Sequence, residues 1–236
     1  MINKSEIVRL TVKAIPAVTP YLKGRAIAFV WNIDPSYKTE EYFNAHIEHL
    51  IQQLYNGYMD GSTFIDIMYS LISGQIYDAY VQAWEDDGNT LPLPDYLDSA
   101  EKLAVVNQQD FVQGLADDII QASVDGKPID PLLARAGLWS NQWSSEYNNA
   151  QVLITANTGG KMMWIEGDTK EKCEQCVALD GIVAYASEWD ELNVHPKNAP
   201  NEMISCGGWD CECKLQSTDQ RRSPKAFETI MNIVSA

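Results

Sequence analysis

The cysteines are the residues of this chain best suited to chemistry, because all of them lie in one short stretch. Cys173 and Cys176 are separated by two residues, a spacing that lets two thiolates reach one ion at about 2.3 Å. Cys206 follows thirty residues after Cys176, and a loop containing two glycines joins it to Cys211 and Cys213. Two such turns that face each other form a tetrahedral sulfur site. The pattern therefore predicts one structural zinc ion.

Five thiols exceed the four ligands of a tetrahedral zinc site, so one thiol is spare and the identity of the fourth ligand stays undecided. A short strand over 211–215 would point Cys211 and Cys213 to the same side, and either could then be the fourth ligand. His195 could also replace one sulfur. The predicted metal ligands are drawn from these six residues.

The same cysteines have alternative chemistries. Disulfide bonds or plain reduced thiols would need no metal, although a reducing cytoplasm disfavours disulfides. A thioredoxin-like redox pair would need an alternating strand-helix-strand pattern, which does not surround Cys173 and Cys176. A catalytic zinc needs an open coordination position and a general base, and the sequence has neither an HExxH motif nor the zinc-deaminase pattern. We therefore expect no catalytic residues and no enzyme activity.

The elements that must position the cysteines follow from periodicity and turn signals. Apolar residues recur at steps of three and four between Thr39 and Ile154, so the first 157 residues are predicted to be helical. After Gly160 the pattern changes to three short strands, at 161–165, 182–185 and 211–215. The predicted fold class is α+β, a mainly helical N-terminal region followed by a small β-rich module. The predicted domains are 1–157, the zinc-ribbon-like module 161–217 and a C-terminal tail, 218–236.

The small predicted module explains why a metal is expected there. Three short strands and their loops in about fifty residues enclose little apolar volume, and units of that size usually need a metal or disulfide to stay folded. Trp164, Trp189 and Trp209 are expected to form its small apolar centre. The metal would close the fold instead of running a reaction.

Charge limits the partners of the chain. The 236 residues carry 17 Lys and Arg against 33 Asp and Glu, a formal net charge of −16. Affinity for a nucleic-acid backbone comes from Lys and Arg, so most of this surface would repel DNA. No apolar run is long enough to span a membrane, and Lys4, Glu6, Arg9 and Lys13 interrupt any apolar signal-peptide core. We expect synthesis in a cytoplasm and no membrane partner.

Two minor features support weaker functional hypotheses. His46 and His49 lie three residues apart on a predicted helix, but a third metal ligand is not apparent near them. The run from Gln220 to Lys225 is the only basic cluster. With Trp209 as a stacking platform, its residues Arg221 and Arg222 could serve a zinc-stapled nucleic-acid-binding module, our alternative function. A solvated tail is the simpler interpretation.

The order of motifs resembles a known family. Trp164, an acidic turn, the Cys173–Cys176 pair, an L-D-G turn at 179–181, Trp189 and the C-G-G-W-D-C-E-C ending at 206–213 follow one another. This order resembles the C-terminal module of phage minor head proteins, the Mu F-like head morphogenesis proteins. The resemblance covers about residues 130–217. Many members end in H-P-N-C-R-C, whereas here His195-Pro196 lies upstream of the last cysteines.

The resemblance implies a structural protein of a tailed-phage virion. Members of that family associate with the portal vertex in few copies, enter the head during assembly, and act in packaging or DNA delivery. The implied partners are portal or capsid protein, with contact to packaged DNA and no small-molecule substrate. The implied location is the virion head, after synthesis in the host cytoplasm. A zinc hydrolase or lysis factor is the third and least favoured reading.

Overall fold

The structure is a computed structural model that describes residues 40–137, 139, 142–169, 172–197, 201–208 and 211–235. Residues 1–39 of the predicted helical region and Trp209 lie outside that part of the chain. The described helices and strands, in chain order, are α1 (Glu40–Tyr55), α2 (Gly61–Asp86), α3 (Asp95–Asn107), α4 (Gln109–Asp125), α5 (Asp130–Ala136), α6 (Gln142–Asn157), β1 (Lys161–Ile165), α7 (Glu174–Leu179), β2 (Val183–Tyr185), α8 (Ala186–Glu191), β3 (Lys214–Ser217) and α9 (Ala226–Val234).

The chain divides into two compact units. Among the described residues, the first comprises those up to Asp78 together with those from Asp98 to Trp143, and the second comprises Ala79–Leu97 together with those from Ser144 onward. The sequence-predicted boundary at 157–161 lies inside the second unit. Helix α6 precedes that boundary, yet its Val152 is buried in the hydrophobic core of the second unit. A boundary drawn from composition and cysteine content misses this, because α6 has helical periodicity like the helices before it.

The first unit is helical, as the apolar periodicity predicts. Helix α1 packs against α4 and α5. Its face at steps of three and four is buried, as are the facing residues of α4, which are Val112, Leu115 and Ile119. The α1 residues of that face are Phe43, Ile47, Leu50, Ile51 and Leu54. Helix α2 begins after Asp60, whose carboxylate accepts the backbone N–H of Thr63 at 2.8 Å and so caps the helix.

The second unit contains one three-stranded antiparallel sheet with β1 in the centre and β2 and β3 at its sides. Met163 pairs with Val183 of β2, and Trp164 pairs with Leu215 of β3. Alternate residues of β1 are buried, Met162 and Trp164 among them, as expected for a strand with one face on a core. The predicted α+β class, mainly helical with a small sheet, is confirmed.

The core of the second unit has two tryptophans at its centre. Trp164 and Trp189 are fully buried, with their ring centroids 5.8 Å apart. The indole Nε1 of Trp189 donates to the backbone oxygen of Met162 at 3.2 Å. Cys176 and Cys213 belong to the same buried cluster. The thiols therefore lie against the hydrophobic interior and not in a separate loop.

Two sequence predictions about this unit need correction. The third strand runs over Lys214–Ser217 instead of 211–215, so Cys211 and Cys213 precede it. The segment 218–236 is not a solvated tail, because it contains α9, which packs against α7 and β2. Ala226, Ile230 and Val234 of α9 are buried in the core. The basic residues near 221 led to the prediction of a solvated tail, and the amphipathic helix that follows them was not predicted.

Candidate metal centre

The first cysteine pair is positioned by α7. Cys173 is the residue before the helix and has extended backbone angles, φ −66° and ψ 128°. Cys176 lies one turn into the helix and is buried. Because residues three apart share a helix face, both sulfurs lie on the same side. The predicted tight turn between them is therefore the start of a short helix.

The loop that carries Cys206 is fixed by two side chains. The amide of Asn201, almost fully buried, donates to the backbone oxygens of Asn193 at 3.1 Å and His195 at 3.3 Å. Its side-chain oxygen accepts the N–H of Met203 at 2.9 Å. The backbone N–H of Ser205 donates to the side-chain oxygen of Gln175 on α7 at 2.5 Å. These bonds hold the loop against the helix that carries Cys176.

The five thiols converge into two groups. In each group the sulfur atoms lie within 4.8 Å of one another, and Cys176 belongs to both. We name them the first triad, Cys173, Cys176 and Cys206, and the second triad, Cys176, Cys211 and Cys213. The sulfurs of Cys176 and Cys206 are 3.9 Å apart. All five cysteines are free thiols, and that separation is far longer than the ~2.05 Å of a disulfide.

The second triad rests on a close approach between two chain segments. The backbone N–H of Gly167 donates to the sulfur of Cys213 at 3.4 Å. A Cβ atom at Gly167 would lie 2.4 Å from the backbone carbon of Glu212, so only glycine fits there. The glycine in the acidic turn after β1 therefore sets the position of Cys213. The sequence shows the turn but not this contact.

The environment of the outer thiols shifts their pKa values. Burial raises the pKa of Cys173, but hydrogen bonds from Ser205 and from the backbone of Cys176 and Cys206 outweigh it and lower the pKa to about 7. The pKa of Cys213 is lowered by hydrogen bonds from the Cys176 and Cys211 thiols and further by the Gly167 N–H. Both shifts favour the thiolate, the form that binds metal.

Cys176 titrates in the opposite direction. Its pKa is raised by the side chains of Cys211 and Cys213, with burial adding to the effect. A proton shared among crowded thiols stays on the central one, because several adjacent thiolates would repel one another. A cation at this position would remove that repulsion. The donor set therefore fits a soft, thiolate-preferring metal ion such as zinc.

His195 is not part of either triad, although the sequence made it a candidate ligand. Its ring Nδ1 lies 2.9 Å from the side-chain oxygen of Asn149, and its Nε2 lies 3.7 Å from a carboxylate oxygen of Asp190. Burial lowers the pKa of His195, and Asp190 partly opposes that shift. His195 is thus a buried neutral side chain that joins α6 to the loop after α8.

The other sequence candidates are placed apart from the thiols. His46 and His49 lie on α1, and no metal-binding group in the described residues includes them. Arg222 donates from Nε to a carboxylate oxygen of Glu188 at 2.8 Å, and its terminal NH2 nitrogen pairs with the other oxygen. Its guanidinium carbon also lies 5.8 Å from the centre of the Tyr185 ring. Arg221 is exposed.

Comparison with family models, curated proteins and solved structures finds no match for this chain. Among the described helices, none combines the length and the apolar character that crossing a membrane requires. The geometry of the thiols is therefore the main physical lead to function. That geometry is a set of five sulfurs beside a small core, able to hold a metal ion.

Proposed function

We propose that the five cysteines form a structural zinc-thiolate centre that closes the second unit. The observation that carries this proposal is the convergence of thiols from three chain segments, around α7, around Cys206 and just before β3. Each segment connects to a different part of the core, so one cross-link through metal would fix all three. Zinc is the expected metal because soft thiolate ligands select it over hard cations such as magnesium.

The proposed centre has a structural and not a catalytic role. Cys176 and Cys213 are buried in the hydrophobic core, where access for a substrate is restricted. His195, the candidate histidine ligand, lies 2.9 Å from the side-chain oxygen of Asn149 and outside both triads. Stability of the unit, and not turnover of a substrate, is the property that metal removal should change.

The test of the zinc centre is elemental analysis of the purified full chain, combined with mass spectrometry of its free thiols. We expect bound zinc, no disulfide, and thiols that react with alkylating reagent only after chelation. The exposed-side mutant Val177→Ala, in the same helix as Cys176, serves as the matched control and should retain the metal. Protein that is purified without metal, or cross-linked through its sulfurs, would refute the centre.

At the level of the organism, we propose that the chain is a portal-associated minor head protein of a tailed phage. The support is the order of tryptophan, cysteine and glycine motifs over residues 130–217, together with a helical region ahead of the cysteine-rich unit. A zinc-closed unit would be a rigid knob, and the helices would supply apolar faces for docking. The net charge of −16 would keep the surface off packaged DNA except at specific contacts.

Co-expression with the portal protein of the same phage tests this role. We expect the chain to co-purify with portal oligomers and the association to survive moderate salt, since apolar helix faces would carry it. A Cys176→Ser variant reports whether the closed second unit is needed for docking. A chain that stays monomeric and shows no affinity for portal would contradict the proposal.

The contacts of Arg222 favour this structural role over the nucleic-acid-binding alternative. Both of its carboxylate contacts are to Glu188, so its charge is already neutralised inside the unit. Of the two arginines, only Arg221 would remain for phosphate contacts. A salt-dependent DNA affinity that is lost in Arg221→Ala would reverse this preference.

A further inference from the structure

The two triads have a geometry that one tetrahedral ion does not explain. An ion with sulfur ligands at about 2.3 Å places its four sulfurs about 3.8 Å from one another. Across the described residues, the groups that meet such spacing have three thiols each, and no fourth thiol joins either group. Cys176 is the single member common to both. The arrangement is two triangles that share one corner.

We propose that the centre binds two metal ions, one in each triad, with the Cys176 sulfur bridging them. This inference rests on the proposed zinc-thiolate centre and replaces its single ion by a pair. A single ion with four sulfur ligands would require an outer sulfur of one triad to move close to both outer sulfurs of the other triad. Two ions need no such regrouping, because each finds three sulfurs already close together.

Hydrogen bonding separates the central thiol from two of the outer ones. A terminal thiolate spends one lone pair on its metal and keeps others for hydrogen-bond donors, whereas a bridging sulfur spends two on metals. The Cys213 sulfur accepts the backbone N–H of Gly167 at 3.4 Å, and the Cys173 sulfur lies 3.0 Å from the Ser205 hydroxyl. The Cys176 sulfur instead lies 3.9 Å from another sulfur, that of Cys206.

The charge balance of the pair is also favourable. With two divalent zinc ions bound, all five thiols are thiolates, any remaining thiol protons pass to solvent, and the product carries a single negative charge. No electron transfer is involved. A single ion with four thiolates would carry two negative charges beside the hydrophobic core and leave one thiol unused. Each ion of the pair has three sulfur ligands from the chain, and solvent can take its remaining position.

The experiment measures metal stoichiometry on the full chain. Reduced, metal-free protein is titrated with zinc alone, desalted and analysed by elemental analysis and native mass spectrometry. We expect two zinc ions per chain. One ion per chain would overturn this inference while leaving the zinc centre intact. No bound ion would overturn both.

Spectroscopy tests the bridge directly. When a spin-active cadmium isotope replaces zinc, two cadmium nuclei bound to one sulfur split each other's resonances, whereas a lone ion gives one unsplit resonance. We expect two mutually coupled signals at chemical shifts typical of thiolate ligands. Two signals without mutual coupling would overturn the bridging role of Cys176.

A series of serine variants distinguishes the two arrangements by their pattern of loss. With two bridged ions, Cys206→Ser should keep the second triad's ion and Cys211→Ser the first triad's, so each falls from two ions to one. Cys176→Ser should lose both. With a single four-thiolate ion, one of the five variants would retain its full metal content. Retention of the full metal content by any of the five variants would overturn the inference. If a variant fails to fold, the cadmium spectrum of the unmutated chain distinguishes the two arrangements in its place.

Discussion

At the scale of single residues, the sequence indicated that the cysteines belong together but not which residues position them. Five cysteines in one stretch predicted a site that could hold a metal ion, and the structure brings the thiols into two groups able to do so. His195 could not be excluded as a ligand from its position in the chain. Its burial beside Asn149 and Asp190 depends on tertiary contacts that spacing does not encode. The close approach of Gly167 to Glu212 is invisible for the same reason.

Replacing Gly167 should disturb the second triad. In Gly167→Ala the new methyl group would overlap the backbone of Glu212 and push away the N–H that Cys213 accepts. Overpacking of this kind costs about 1–3 kcal/mol, so we expect a lower free energy of unfolding and weaker metal retention. Chemical denaturation and a competition assay with a zinc chelator measure both. Gly137→Ala, which has open space around it, is the control, and equal behaviour of the two variants would contradict the contact.

His195 should make the stability of the second unit depend on pH. Burial lowers its pKa from 6.5, with Asp190 partly opposing, so the unfolded chain binds the proton at a higher pH than the folded one. The contribution of neutral His195 is therefore fully present above about pH 6.5 and is lost as the pH falls through the folded-state pKa. We expect His195→Gln to flatten the loss of stability between about pH 7 and pH 5 in denaturation experiments. His49→Gln, on the exposed side of α1, should leave the profile unchanged; an unflattened profile in His195→Gln would contradict this assignment.

At the scale of elements, strong periodicity was predictable and short or mixed segments were not. Strand β1 is a short run of bulky apolar residues that ends at an acidic turn, and it was predicted at its observed bounds, Lys161–Ile165. Strand β3 begins after the cysteines, because Cys211 and Cys213 are held by the thiol cluster and by Gly167 instead of by strand pairing. Helix α9 follows a basic run, and the whole segment was predicted to be a tail because of that run, although α9 has an apolar face.

The role of α6 in the second unit can be tested at Val152. Its side chain is fully buried in the core of that unit, so Val152→Ala should lower the free energy of unfolding by about 1–3 kcal/mol. Hydrogen exchange read at β1 and β2 should show the loss. Val177→Ala removes the same atoms from a side chain that is 46% exposed and should cost much less. Equal losses in both variants would argue that α6 does not support the unit.

The ion pair of Arg222 should anchor the segment between β3 and α9. Arg222 donates hydrogen bonds to both carboxylate oxygens of Glu188. These hydrogen bonds are the largest cause of the lowered pKa of Glu188. We expect Arg222→Ala to cost about 1–3 kcal/mol, because a charged, partly buried hydrogen bond is lost. The neighbouring Arg221→Ala should be nearly neutral. An equal effect of the two substitutions on the denaturation midpoint would contradict the anchoring role.

At the scale of the whole molecule, the acidic composition limits which partners the chain is expected to bind. The acidic balance of 33 to 17 disfavoured diffusive DNA binding, and the pairing of Arg222 strengthens that expectation. The uneven distribution of cysteines predicted a boundary near residue 160. The assignment of α6 and of Ala79–Leu97 to the second unit could not be predicted, because it depends on contacts between distant parts of the chain. Tyr147 of α6, for example, donates to the carboxylate of Asp86 at 2.7 Å.

The central proposal is that metal holds the second unit together. Its sheet has short strands, of which β2 spans only Val183–Tyr185, and a small sheet gains little stability from its own pairing. The most direct measurement is hydrogen exchange across 161–165, 183–185 and 214–217 before and after exhaustive chelation under reducing conditions. We predict that protection of these amides is lost on chelation and returns when zinc is added back. Unchanged protection in the metal-free protein would contradict the account.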